Sequence, residues 1–97
     1  MMWILMEKNK PREHLIGPFI KHLREEMEMT QKDLSDETGF SIQTISKFEN
    51  GKTSPRTFAA KRIIDKLITI WEVNGYDVEE MFEDFCEANG EEFDLEQ

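Results

Sequence analysis

The chain of 97 residues has one cysteine, three prolines and no basic side chain after Lys66. The lone Cys86 cannot close an intrachain disulfide, so a disulfide scaffold is excluded and a reducing compartment, the cytoplasm, is the expected home. No apolar run approaches the roughly 18 residues that a membrane span needs. The opening "MMWILM" lacks both a preceding basic stretch and a following small-residue cleavage site, so it does not read as a secretory signal. Glycine-rich phosphate loops are missing. The two histidines, His14 and His22, have no Cys or carboxylate at ligand spacing, so neither a metal nor a cofactor is expected. Cys86 has no basic neighbour to activate its thiol. The carboxylates near the C-terminus have no apolar pocket around them. An enzyme is not expected.

What is present fits a folded chain. Apolar residues make up 38% and aromatics 10%, enough to drive collapse, and the length suits one core rather than two. The net charge of −9 is unevenly placed. Residues 1–69 hold all twelve bases and ten acids, whereas residues 70–97 hold eleven acids and no base. The acidity belongs to one end.

Helical punctuation recurs along the chain. Gly17-Pro18 marks a start, because proline is tolerated in a first turn. Ile20, Leu23 and Met27 then recur at helical spacing to about Glu28, with Ile16 and Phe19 flanking that face. Thr30 caps a short helix, with Asp33 as the partner in a capping box, Leu34 inward and Gly39 as the left-handed stop. Ser41 caps the next, whose inward residues are Ile45 and Phe48, and Gly51 stops it. Phe40 fills the turn between these two. Ser54-Pro55 reads as cap and first position of a longer helix carrying Phe58, Ala59, Ile63, Ile64, Leu67, Ile68 and Trp71, with room for a bend before Asn74-Gly75. Asp77 and Glu80 open a final helix over 78–88, striped by Val78, Met81, Phe82 and Phe85 and ended by Asn89-Gly90. The expected fold is all-α with five or six helices.

The segment "TQKDLSDETGFSIQTISKFENGKTSP" resembles the helix-turn-helix of Cro and lambda-repressor-like (Xre-type) transcription regulators. Polar cap, Gln, inward Leu, turn Gly, Ser, inward Ile and the "FENGKTSP" exit agree in register from about Ile16 to Leu67. Ser35 stands where the family favours Ala; its hydroxyl is expected to bond back to the helix backbone. The resemblance implies a lambda-repressor-like domain with an extra acidic C-terminal helix. It also implies that the helix after Ser41 enters the major groove of double-stranded DNA, braced by its predecessor. Its outward residues are Ile42, Gln43, Thr44, Ser46 and Lys47. Gln43 suits an adenine edge, Thr44 or Ile42 a thymine methyl, and Lys47 a guanine or phosphate. By the same resemblance Gln31, Asn50, Lys52, Thr53 and Arg56 hold the sugar–phosphate backbone. The resemblance also implies that Arg24 and Glu49 form a partly buried structural pair.

Three segments follow: an N-terminal arm over 1–15, the helix-turn-helix domain over 16–73, and an acidic helix and tail over 74–97. The arm packs on the same core, pairs with another subunit, or is an artefact preceding a true start at Met6. The stripe Val78, Met81, Phe82 and Phe85 is expected to pack on its own domain, against Trp71 and Trp3 or Leu5, or with Trp71 to form a homodimer or partner surface, or to do both with different residues. The outward acids Glu79, Glu80, Glu83, Asp84 and Glu87 would repel phosphates and are expected away from DNA. The resulting expectation is a sequence-specific regulator of bacterial or phage type, a homodimeric repressor of a palindromic operator. The alternative is a protein-binding inhibitor or antitoxin-like partner, receiving a basic protein at the acidic helix and keeping the helix-turn-helix for autoregulation or as scaffold.

Overall fold

The computed structural model describes residues 14–94, with side chains as far as residue 89. Among the described residues five helices follow one another: α1 (Ile16–Glu26), α2 (Gln31–Thr38), α3 (Ile42–Glu49), α4 (Phe58–Val73) and α5 (Val78–Asp94). No strand occurs among the described residues. The expectations for the arm, including packing by Trp3 or Leu5 and a start at Met6, concern residues outside the described ones.

One core serves all five helices. Ile16, Phe19, Ile20 and Leu23 are spaced to share one face of α1, and all four are buried. They meet Leu34 of α2, Ile45 and Phe48 of α3, and Ala60, Ile63, Ile64, Leu67 and Ile68 of α4. Val78, Phe82 and Cys86 of α5 close the far side. Phe19 makes an edge contact with Phe82, ring centroids 5.1 Å apart, and a second ring contact with Phe85 at 5.4 Å. The α5 stripe therefore packs on its own chain. Of the two readings of this stripe, own-domain packing holds for Val78 and Phe82, which are interior and so not part of a dimer or partner surface, while Trp71, Met81 and Phe85 are half-buried against the same core.

Local chemistry explains the ends of the helices. Thr30 Oγ1 accepts the Asp33 N–H at 3.0 Å and Asp33 Oδ2 accepts the Thr30 N–H at 2.9 Å, a complete capping box at α2. Ser41 Oγ accepts the Thr44 N–H at 3.2 Å and opens α3. Between them Gly39 takes φ 82°, a left-handed value that glycine adopts without steric cost. The Ser35 hydroxyl does not bond back; it donates to the Phe40 carbonyl at 2.5 Å, which fastens the turn to α2.

Other boundaries differ from the sequence reading. The first helix ends at Glu26 rather than about Glu28, because Met29 N–H reaches Arg24 O at 3.0 Å and Glu28 N–H reaches Glu25 O at 2.9 Å. This double closure puts Glu28 at φ 58°, the position usually held by glycine. Ser54-Pro55 does not start α4. Ser54 folds into a turn, its hydroxyl accepting the Arg56 N–H at 3.1 Å, and Thr57 is the cap, accepting the Ala60 N–H at 3.2 Å. Phe58 thereby becomes the first helical residue and is 73% exposed instead of inward. α4 runs unbroken to Val73. Asp77 Oδ1 accepts the Glu80 N–H at 3.2 Å at the head of α5. Asn89-Gly90 does not end that helix, which continues to Asp94. The Asn89 amide donates back to the Phe85 carbonyl at 2.8 Å, and a glycine inside a helix costs only about 1 kcal/mol.

Candidate nucleic-acid interface

α3 rests on the core through Ile45 and Phe48 and turns its opposite side to solvent. Ile42 is 44% exposed, and Gln43 and Lys47 are exposed one turn apart on the same ridge. Thr44 and Ser46 are half-buried. Thr44 Oγ1 lies 3.0 Å from Ser41 Oγ, and Ser46 Oγ accepts from Asn50 Nδ2 at 3.3 Å. Of the five residues placed outward from sequence, three stand clear, and two have hydroxyls engaged within their own helix and cap.

The ridge is held by a buried network at the other end of α3. Arg24 Nε donates to Glu49 Oε2 at 2.7 Å and Nη2 donates to Oε1 at 3.0 Å, a bidentate fork. Arg24 is 6% exposed and Glu49 2% exposed, so the pair sits away from water. Arg24 Nη1 also donates to the Met29 carbonyl at 2.6 Å, and Gln31 Nε2 donates to Glu49 Oε1 at 3.0 Å. One cluster thus joins the end of α1, the α1–α2 turn, the start of α2 and the end of α3. The hydrogen bonds to Glu49 raise the guanidinium pKa above its ordinary value, against the opposing pull of burial. Gln31 has one amide hydrogen committed to Glu49 and one left for another acceptor.

Gly17 brings α1 into direct contact with the same region. A methyl group there would overlap the Phe48 carbonyl, so the two helices approach as closely as they do only because that position has no Cβ. Sequence reading took Gly17 as a start signal and missed this contact, which no local pattern announces. It also missed the Gln31–Glu49 bond, which spans 18 positions.

The exit loop lies beside the head of α1. Gly51, Lys52, Thr53, Ser54 and Pro55 line a cleft of about 290 Å³ with His14 and Gly17. Lys52 and Asn50 are exposed, Thr53 is half-buried, and the exposed Arg56 follows Pro55. The backbone of Lys52 is fixed by its N–H donating to Lys47 O at 2.9 Å. At the other flank the first turn of α2 carries backbone donors that have no partner within the helix. Asp33, in the capping box, has its carboxyl held below the usual carboxylate range, first by the Thr30 backbone N–H and then by the Thr30 side chain.

The acidic helix lies elsewhere. Gly17 and Arg24 of α1 approach Phe48 and Glu49 of α3, whereas Phe19 and His22 approach Phe85 of α5. At about 100° of turn per residue these two pairs lie on opposite sides of α1. α3 and α5 are therefore separated by the thickness of α1, and the exposed carboxylates Glu80, Asp84 and Glu87 belong to the far element. No helix among the described residues is long and apolar enough to cross a membrane.

Residues 20–68, just over half of the chain, match the family model described as Helix-turn-helix. No curated protein and no solved structure matches the chain.

Proposed function

Because the chain belongs to the Cro/C1-type (Xre-like) helix-turn-helix family of DNA-binding transcription regulators, we propose that it reads a specific operator through α3, as a homodimeric repressor acting in the cytoplasm. The observation that carries this reading is the exposed ridge Ile42–Gln43–Lys47, locked in place by the Arg24–Glu49–Gln31 cluster with the acidic helix behind α1. A major groove accepts a helix whose early residues project toward base edges. Gln43 supplies a bidentate amide for adenine, Ile42 and Thr44 supply apolar contact for a thymine methyl, and Lys47 supplies a cation for guanine or phosphate. Ser46 borders the same ridge. Gln31, Asn50, Lys52, Thr53 and Arg56 flank it on both sides and are assigned to the sugar–phosphate backbone, where contacts set register without reading sequence. Residues 16–73 are assigned as the reading unit and 74–97 as an acidic segment, whose helix α5 packs on the core through Val78, Phe82 and Cys86.

A single copy carries one α3. Half-sites of a two-fold operator are about 34 Å apart and each takes one reading helix, so a palindrome calls for two copies. Selection of bound sequences from a random duplex pool, read beside the mass of the complex, tests this. A palindrome bound by a dimer, with base preference lost on Gln43→Ala, is the expected result. No duplex affinity for the wild-type chain at low salt would sink it. That outcome would favour the second reading, a partner-binding protein using the exposed acids of α5 to receive a basic protein; binding to such a protein rather than to DNA is its discriminating measurement.

A further inference from the structure

With Val78 and Phe82 interior, a second copy needs another surface. Among the described residues the large apolar side chains left in solvent are Ile42, Phe58, Val73 and Tyr76. Ile42 belongs to the reading ridge. Phe58 and Val73 are the first and last residues of α4 and the most exposed of the four, at 73% and 80%. Fifteen positions of helix bring them back to within about 60° of each other, so they share one side of α4. Between them that side carries Arg62, Asp65 and Thr69, all exposed, and the half-buried Lys66.

From this placement we infer that α4 pairs antiparallel with α4 of a second copy, across a two-fold axis passing between Asp65 and Lys66. The spacing is self-complementary. Such an axis sets Phe58 opposite the partner's Val73, Arg62 opposite the partner's Thr69, and Asp65 opposite the partner's Lys66. Each contact occurs twice, as an isologous interface requires. Both apolar ends are covered, and opposite charges face each other at the centre.

The occupant follows from charge. Glu37, Arg62, Asp65 and Lys66 line one shallow groove and cancel, with Lys66 Nζ 3.3 Å from Glu37 Oε1. Two copies can meet there without net repulsion. Tyr76, the other exposed apolar residue, lies beyond the end of α4, where its ring already makes an edge contact with Trp71 of its own chain at 4.7 Å and Asp77, Glu79 and Glu80 follow it. Arg62 adds order to the α4 surface, its guanidinium carbon 5.8 Å from the centre of the Phe58 ring. The helix is only about 24 Å long, so the interface falls at the small end of the stable range and the dimer dissociates on dilution. A duplex with two half-sites then holds both copies together.

The inference rests on the two-fold reading of the operator, and sedimentation equilibrium of the full chain over a concentration series tests it. The expected result is a reversible monomer–dimer equilibrium. Phe58→Glu and Val73→Lys each weaken it by about tenfold or more, while Tyr76→Glu leaves it unchanged. The double variant Phe58→Glu/Val73→Lys regains the dimer, because each end then joins opposite charges. Thermal melts by circular dichroism show that every variant is folded. A monomer at all concentrations, a dimer indifferent to both single changes, or one lost with Tyr76→Glu alone would each overturn the α4 pairing. Duplex binding of the same samples separates the two ideas. A monomer that still selects a half-site removes the pairing and leaves the DNA reading, whereas an α4 dimer without duplex affinity does the reverse.

Discussion

The Arg24 guanidinium forks onto the Glu49 carboxylate with both partners almost wholly out of water, at 2.7 and 3.0 Å. A pair of this kind adds little net stability over apolar residues of similar shape, but either member alone is a buried charge without its counterion. Arg24→Met and Glu49→Met should each destabilise the fold by about 3–5 kcal/mol, and the double variant by clearly less than their sum. Urea denaturation of the three variants measures it, and strict additivity would refute the coupling.

Gly17 is expected to be intolerant for a different reason. Its missing Cβ lets α1 lie on the Phe48 carbonyl, and backbone on both sides leaves nothing flexible to move aside. Gly17→Ala should cost about 1–3 kcal/mol, although alanine is the better helix former. A neutral or stabilising result in the same denaturation series would show that the helices separate freely.

Glu28 offers a gain. It holds the left-handed turn after α1 with a side chain that raises the energy of that conformation. Glu28→Gly should stabilise the chain by about 1 kcal/mol, because glycine avoids that steric penalty. Thermal unfolding would then shift upward; a downward shift would mean that the Glu28 side chain makes a compensating contact.

Binding to duplex should report how the contacts divide. Lys47, Lys52 and Arg56 are the cations assigned to the interface, so log K against log salt should have a slope of roughly −3 per copy. Lys52→Ala should reduce that slope by about one and weaken all sequences alike. Gln43→Ala should leave the slope in place and flatten base preference at one position, at about 1–3 kcal/mol of discrimination. Titrations at several salt concentrations on selected and scrambled duplexes distinguish the two patterns.

Asp33 makes the α2 cap sensitive to acid. Its folded pKa is lowered by the Thr30 backbone and side-chain hydrogen bonds. The stabilisation is therefore fully present above the ordinary carboxylate pKa and is lost as pH falls through the lowered folded value. The stability difference between wild type and Asp33→Ala should shrink across that acidic window and hold constant near neutrality. A difference independent of pH would assign the cap to Thr30 alone.

Local chemistry was largely legible from sequence. Thr30 with Asp33, Ser41 and Gly39 act within a few residues, so their spacing alone marks the helix ends. The inward stripes of α1 to α4 follow from helical period in the same way. Signals that can be imitated were misleading. Ser54-Pro55 has the form of a cap yet closes a turn, which moved α4 by one turn and put Phe58 outside. Asn89-Gly90 has the form of a stop, yet the Asn89 amide bonds back into α5. Non-local features left no trace. Gly17 against Phe48 and Gln31 against Glu49 depend on how helices cross, and a single sequence does not record crossing.

Placing α3 and the carboxylate-rich α5 on opposite sides of α1 makes the chain electrically lopsided, with one face near neutral and the other anionic. In the field of a duplex such a body feels a torque as well as a force. On the proposed reading, collisions led by the anionic face would be turned away before contact, and those that survive would arrive with α3 already aimed. Orientation would then be selected during diffusion, ahead of any hydrogen bond to a base.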